Sequence, residues 1–336
     1  FKVQDNGGTA NSGVDTSVTA NTVTINVTAV NDAPTGTSKT ITMLEDGTRA
    51  FTAADFGFTD ADGNTLSAVI ITTLPTVGTL KLNGVVVVAN QSITAADIAA
   101  NKLVFTPAAN ANGTGYASIG FKVQDNGGTA NGGVDTSTTA NTLTFNVTAV
   151  NDAPVVNPSG TAASYVELAT PVAINSGLTL SDVDSTNLTG ATVTIGIGFT
   201  TGDVLAFTNA NGITGSYDAA TGKLTLTGTA TLAQYQAALQ SVSYSSTSDN
   251  PTATSATRTI NWQVDDGQSA NHASNVGTST INLTAVNDPA VISGPTTGTV
   301  VEAGGVANAI TGTPTATGTL TSTDVDGTAN AFMAVT

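Results

Sequence analysis

The chain has no cysteine, one histidine and one tryptophan among its 336 residues. Each scarcity closes a route. Without cysteine there is no disulfide staple and no thiol chemistry, although secreted proteins can fold without disulfides, so the compartment stays open. One histidine leaves almost no candidates for nucleophile–base catalysis or for a zinc site. Eight basic residues stand against 24 acidic ones, a net charge of −16. Nucleic acid and anionic membranes need clustered Lys and Arg, so neither is expected as a partner. No apolar run approaches the roughly 20 residues that cross a bilayer, so no membrane insertion is expected.

Charged residues make up only 10% of the chain, and Thr, Gly, Ala and Asn are abundant. Such a composition points toward disorder, but the apolar residues alternate. In "NTVTINVTAV" (21–30), Val23, Ile25 and Val27 share one face, with Thr22, Thr24, Asn26 and Thr28 on the other. That period of two predicts a half-buried strand.

The chain also repeats. Residues 1–34 and 121–154 agree at 30 of 34 positions, a period of 120. Two of the four differences, Val23/Leu143 and Ile25/Phe145, are apolar exchanges on the inward face. The phrase "VNDAP" ends both segments, and "VNDPA" follows at 286–290. The expected organisation is the tail of one repeat (1–34), a complete repeat (35–154), a longer one (155–289) and the start of another (290–336). Both ends fall inside a repeat, so a window on a longer protein is expected, and the lack of a visible signal peptide carries no weight. Units of this length are too long for solenoid repeats of ~20–50 residues and suit separate domains in tandem.

Within 35–154, turn signals separate about seven alternating runs, at 38–43, 49–58, 66–75, 78–84, 102–107, 117–123 and 141–150. Short helices are expected at 94–100 and 231–240. The fold class is all-β, built of antiparallel sandwiches.

The acidic residues recur in register. The three glutamates, Glu45, Glu167 and Glu302, follow Asp32, Asp152 and Asp288 by 13, 15 and 14 residues. Asp-x-Asp pairs come next, at Asp60/Asp62, Asp182/Asp184 and Asp324/Asp326. Each "FKVQD" strand closes on Asp5 or Asp125, and "WQVDD" closes on Asp265 and Asp266. About ten strand residues at ~3.3 Å span ~33 Å, close to a sandwich length. A glutamate one strand after a joint therefore falls at the far end of its domain, and the Asp-x-Asp returns to the near end. The complete joint should gather Glu45, Asn151, Asp152, Asp182, Asp184 and Asp266, with Asp97 of the 94–100 crossover joining from the domain above. Asn31 and Asp32, and Asn287 and Asp288, occupy the same places at the other joints. So many like charges need a counterion. Calcium, which takes 6–8 oxygen ligands, suits the set; magnesium prefers fewer protein ligands and more water.

The run from "F-x-V-x-D" through alternating Thr and Val to "VNDAP" resembles the cadherin-like, VCBS-type tandem repeats of giant bacterial surface adhesins. The string "LEDG…FTDADG…LPTVGTLKLNG…ITAADI…LVFTP…GFKVQDNGG" is similar to one such unit throughout, and to the related chondroitin sulfate proteoglycan repeat. "ATLAQYQAALQSVSYSSTSDNPTATSATRTINWQVDDG" resembles a second unit of these adhesins. The resemblance covers nearly the whole chain and implies tandem Ig/cadherin-like sandwiches with calcium at the joints. Matched residue by residue, it implicates Glu45, Glu167, Asn151, Asp152, Asn287, Asp288, the three Asp-x-Asp pairs, Asp125 and Asp266. Two departures stand out. Ala29, Ala149 and Ala285 replace an acidic linker residue, and the acidic crossover motif shrinks to Asp97, with Gln234 or Gln236 in the next repeat. About one or two ions per joint are therefore expected.

Other residues read more plainly. Asp15, Asp135, Asp203, Asp218 and Asp249 belong to no repeating constellation and read as turn formers. Trp262 alternates with Ile260 and Val264 and reads as core, and His272 as solvated surface. The Asn-x-Thr sequences at Asn26, Asn146 and Asn282 fall on strand faces of bacterial-looking repeats and are not expected to carry glycans. Outward Thr is a good strand former, so the Thr-x-Thr arrays need no ice-binding role. Carboxylates that recur once per repeat argue against a unique catalytic pair. The expected function is an extracellular, non-enzymatic stalk at the bacterial cell surface, whose partners are the neighbouring repeats. Two alternatives remain: assembly with like chains into a fibre, since edge strands template pairing, and binding of surface glycans or proteins, against which scarce aromatics weigh.

Overall fold

The computed structural model describes residues 1–304, 307, 309–313 and 315–327. The far end of the expected 290–336 segment, residues 328–336, lies outside them. The chain separates into two compact units, Phe1–Val150 and Asn151–Thr336.

In the first unit, two sheets face each other. One has the order β1 (Lys39–Leu44), β9 (Asn141–Thr148), β8 (Gly113–Asp125), β3 (Leu66–Thr73), β6 (Gln91–Thr94). The other runs β2 (Arg49–Ala50), β7 (Leu103–Thr106), β4 (Thr79–Leu82), β5 (Val85–Val86). The short helix α1 (Ala95–Ala99) links β6 to β7. Alternation sorts the side chains as expected: Ile119, Phe121 and Val123 of β8 and Leu143 and Phe145 of β9 are all fully buried. Phe105 and Phe145 stack at 4.2 Å between the sheets, and Phe56 meets Phe121 edge-on at 5.1 Å. β1 lies parallel to β9, with Ile41 opposite Phe145 and Leu44 opposite Thr148, whereas the other pairs are antiparallel.

Two expectations need correction here. The run 49–58 is a strand only at Arg49–Ala50; it then turns through a 3-10 segment, Ala53–Phe56, closed by a capping box between Thr52 and Asp55. Phe51 and Phe56 are both buried by this turn, so burial came without strand pairing. Residues 21–30 form no strand, and Val23, Ile25 and Val27 are 68%, 81% and 90% exposed. Their counterparts Leu143, Phe145 and Val147 are at most 4% exposed because β9 is held between β1 and β8 in a sheet whose inner face is covered by the facing sheet. Among the described residues, the earlier copy has no such partners.

The second unit enlarges the same plan. It adds β10 (Val155–Asn157), β11 (Ala163–Val166), β12 (Val172–Ala173), β13 (Thr179–Ser181), β14 (Asn187–Ile195), β15 (Asp203–Ala206), β16 (Thr214–Asp218), β17 (Lys223–Thr231), α2 (Leu232–Gln240), β18 (Ser243–Ser246), β19 (Thr257–Asp265) and β20 (Gly277–Thr284). The six-stranded sheet has the order β11-β20-β19-β14-β17-β16 and faces the three-stranded sheet β12-β18-β15. The extra length relative to the first repeat is largely the β16–β17 hairpin and the longer α2. Trp262, Tyr235, Tyr244 and Leu239 fill the core, Trp262 donating to Ser279 Oγ at 2.7 Å. Beyond β20, β21 (Val291–Ser293) pairs with β22 (Thr321–Thr323).

Candidate metal centre at the linkers

Three linkers carry the sequence Val-Asn-Asp: Val30-Asn31-Asp32, Val150-Asn151-Asp152 and Val286-Asn287-Asp288. Strand register brings carboxylates to several backbone amides and asparagine side chains of these linkers. Because β1 runs parallel to β9, Glu45 follows β1 just where the chain leaves β9, and its amide bonds Thr148 O at 3.0 Å. The buried Glu45 carboxylate then accepts from Val150 N (2.7 Å) and from Asn112 Nδ2 (2.9 Å). Glu167 repeats this after β11: its amide bonds Thr284 O, and its Oε2 accepts from Val286 N at 2.8 Å.

The Asp-x-Asp loops are Asx turns. Asp60 Oδ1 accepts from Asp62 N and Asn64 N, Asp182 Oδ1 from Asp184 N and Ser185 N, and Asp324 Oδ1 from Asp326 N and Gly327 N. The second Asp of each pair grips the linker: Asp62 Oδ2 accepts from Asp32 N (2.6 Å), Asp184 Oδ2 from Asp152 N (3.3 Å) and Asp326 Oδ2 from Asp288 N (3.1 Å). The strand-end residues Asp125 and Asp266, 3% and 6% exposed, receive the linker asparagines. Asn31 Nδ2 donates to Asp125 Oδ1 at 3.1 Å, and Asn151 Nδ2 to Asp266 Oδ2 at 2.8 Å.

Glu45, Asp125 and Asp266 use both carboxylate oxygens as acceptors, whereas Glu167, Asp60, Asp182 and Asp326 each spend one on a backbone amide. Several of the other oxygens are buried without any hydrogen-bond partner: Asp60 Oδ2, Glu167 Oε1, Asp182 Oδ2, Asp288 Oδ2 and Asp326 Oδ1. A carboxylate oxygen shielded from water and unpaired costs several kcal/mol unless a cation meets it. The titration behaviour agrees. Burial pushes the Asp182 carboxyl above its ordinary range, with Asp184 adding repulsion. Mutual interaction of the neighbouring Asp324 and Asp326 carboxyls lowers the first and raises the second. All the donors are oxygens, as a hard divalent cation requires. Among the described residues, however, no three acidic or imidazole side chains converge at metal-binding spacing. The donor chemistry and the orphaned oxygens fit calcium; the side chains are not drawn together around one point.

Some placements differ from expectation. The amides of Asn31 and Asn151 act as donors: Asn31 also donates to Val134 O, and Asn151 to Ala270 O. Asn31 Oδ1 in turn accepts from Asn64 Nδ2. These bonds latch the linker to the strand-end loops. Among the described residues, Asn287 donates only to Asp288 O, at 3.0 Å. Asp97 is not at the Glu45 end. It follows Thr94, which pairs with Ala68 toward the Asp125 end of the sheet. There its carboxylate accepts from Thr94 Oγ1 and Lys102 Nζ, both at 2.8 Å, and the Lys102 bond chiefly holds its pKa below the usual carboxylate range. Gln234 takes the same capping place on α2, bonding Thr231.

Two aspartates read as turn formers do more. Asp203 is buried against Arg258, itself fully buried, at 2.7 Å, and also accepts from Tyr244 Oη at 2.6 Å. Asp249 lines a cavity of about 470 Å³ with Asp288, Asp324 and Val325, and its neighbour Asn250 donates to Val325 O at 2.9 Å. The signal for Asp249 was positional: β18 ends beside Tyr165, two residues before Glu167, so its loop emerges at that glutamate's end.

Residues 31–148 match the family model described as bacterial Ig domain. The match covers the first sandwich and the linker before it. Among solved structures, the chain is similar to human mucin-like protocadherin EC1-2, with 13% identity over 76% of this chain and 100% of that one, TM-score 0.29. Human CDH23 EC21-23 shows 15% identity over 88% and 81%, TM-score 0.30. Human protocadherin-24 EC1-2 shows 14% identity over 76% and 100%, TM-score 0.33. No curated protein matches the chain.

Proposed function

We propose that the chain is a non-enzymatic, extracellular structural segment of a bacterial surface adhesin, whose joints are stiffened by calcium. The single observation carrying this reading is the division of labour within the carboxylates. One oxygen of Glu167, Asp60, Asp182 and Asp326 binds an amide, and the other is buried without a partner. Three linkers built on one pattern make a structural repeat a better account than a unique active site. Bound calcium would neutralise the acidic groups at each joint. Glu45 and Glu167, the Asp-x-Asp pairs, Asp125, Asp266 and the linker aspartates would hold it.

The test is small-angle scattering on the whole chain with calcium and then with chelator, alongside calorimetric titration of calcium. Saturable binding and a maximum dimension that becomes broadly distributed on chelation support the reading. No heat of binding and superimposable profiles would reject it. An edge strand favours a second reading, assembly of like chains: Val85, Val86 and Val88 beside β5 are 72%, 58% and 63% exposed. Sedimentation that stays monomeric across a hundredfold concentration range would remove it.

A further inference from the structure

The outer face of the six-stranded sheet carries a hollow of about 300 Å³ over β14, β17 and β19. Its outward walls are Thr192, Thr225, Thr227, Gln263 and Asp265, and its floor is Gly190. Gly190 sits in a strand interior, where glycine weakens the sheet and commonly marks a bulge or the close approach of a ligand or backbone. Neither backbone nor neighbours require glycine here. Its φ is not left-handed, and a Cβ would meet nothing nearer than Leu226 O at 3.6 Å. The adjacent irregularity places the extra residue on β17, where Gly228, at φ +128°, already accommodates it. Gly190 therefore keeps the face open rather than relieving strain.

The walls are chemically specific. Gln263 donates to Ser274 O at 3.1 Å, which leaves its carbonyl oxygen as an acceptor. Asp265 accepts from Gly267 N and contacts His272 Nδ1, which holds the carboxylate in place. The Thr192 and Thr225 hydroxyls make no hydrogen bond among the described residues. Strands about 4.8 Å apart, with same-face residues about 6.7 Å apart, place these groups where one ring's hydroxyls reach several of them. The pairing of alcohols, an amide and a carboxylate suits a ligand rich in hydroxyls, and Asp265 disfavours an anion.

We infer that this hollow binds a neutral saccharide unit through hydrogen bonds, without an aromatic platform. Asp265 adjoins Asp266, but none of the hollow's lining residues is itself among the proposed calcium ligands, so the hollow is probed without added calcium. The test is saturation-transfer NMR on the full chain in chelator, with glucose, galactose, mannose and N-acetylglucosamine as probes and glucuronate as the anionic comparison. Gly190→Val fills the floor while improving strand propensity, and Thr192→Val removes one hydroxyl at nearly constant volume. Expected is saturation transfer to at least one neutral sugar, at least tenfold weaker in Gly190→Val and clearly weaker in Thr192→Val. Unchanged Trp262 fluorescence would show that both variants stay folded. No transfer to any neutral sugar at millimolar concentration, equal transfer in Gly190→Val, or preference for glucuronate would each overturn the assignment.

Discussion

Replacing Arg258 by Met should be among the most damaging single changes in the second unit. Arg258 is fully buried, and its guanidinium reaches Asp203 (2.7 Å), Thr200 Oγ1 (3.0 Å) and the carbonyls of Pro251 (2.8 Å) and Ser255 (2.9 Å). Methionine restores most of the apolar stem, so the loss is electrostatic. Asp203 would remain buried with Tyr244 and Thr200 as its only side-chain donors. Breaking one side of a buried pair costs about 3–5 kcal/mol, against a typical total stability of roughly 5–15 kcal/mol. With a urea slope of about 1–3 kcal/mol per molar, the midpoint should fall by at least about 1 M. Trp262 is the only tryptophan and lies in this unit's core, so its fluorescence follows this unit alone. Adding Asp203→Leu should recover part of the loss, leaving chiefly the Tyr244 hydroxyl without its acceptor, at about 1–3 kcal/mol. A midpoint shift worth less than about 1 kcal/mol in the single variant, or a double variant no better than the sum of the singles, would refute the reasoning.

Calcium titration should separate the linker carboxylates from Asp97. Glu167→Gln is expected to weaken binding at least tenfold, whereas Asp97→Asn, already committed to Lys102 and the α1 cap, should leave it unchanged; equal effects would contradict the assignment. Phe145→Ala should cost about 3–5 kcal/mol, because its ring is fully buried and stacked on Phe105. Heat denaturation should show this as loss of one transition, with Trp262 fluorescence unmoved. Alkali should unfold the second unit selectively. Burial pushes the Tyr235 hydroxyl up to about 12 from 10.0, and Tyr244 is raised too, chiefly by burial. A raised folded value means stability complete below pH 10 and lost as pH rises toward 12. Phenolate absorbance and Trp262 fluorescence should therefore change together in that window, and phenolate formation without a fluorescence change would count against it.

The sandwich was legible where pattern and partners agree. β8 and β9 alternate cleanly, and both helices lie where Thr94 and Thr231 announce a cap. The same alternation at 21–30 misled, because period two marks a face that needs covering and does not supply the cover. The 49–58 run misled differently: Phe51 and Phe56 are five apart and both buried, which a turn satisfies as well as a strand. Repetition located the carboxylates of the linkers, since like positions recur regardless of long-range pairing. What it missed was direction. Asp97 was assigned to the end opposite the one it occupies, because the antiparallel pairing of β6 with β3, which carries it to the Asp125 end, is a long-range contact that repetition does not reveal. Asp203 was unreadable as core because its partner Arg258 lies 55 residues away, and only the folded sheets bring them together.

The parallel pairing of β1 with β9 and of β11 with β20 has a mechanical consequence. In each sandwich the chain arrives along β1 or β11 and departs along β9 or β20, side by side and in the same sense. Tension applied through the linkers therefore slides these neighbours lengthwise past each other. Every rung from Lys39–Leu143 to Leu44–Thr148 is loaded at once, and none can be peeled ahead of the rest. The domain resists as a lap joint does, and failure requires the whole ladder to give way together.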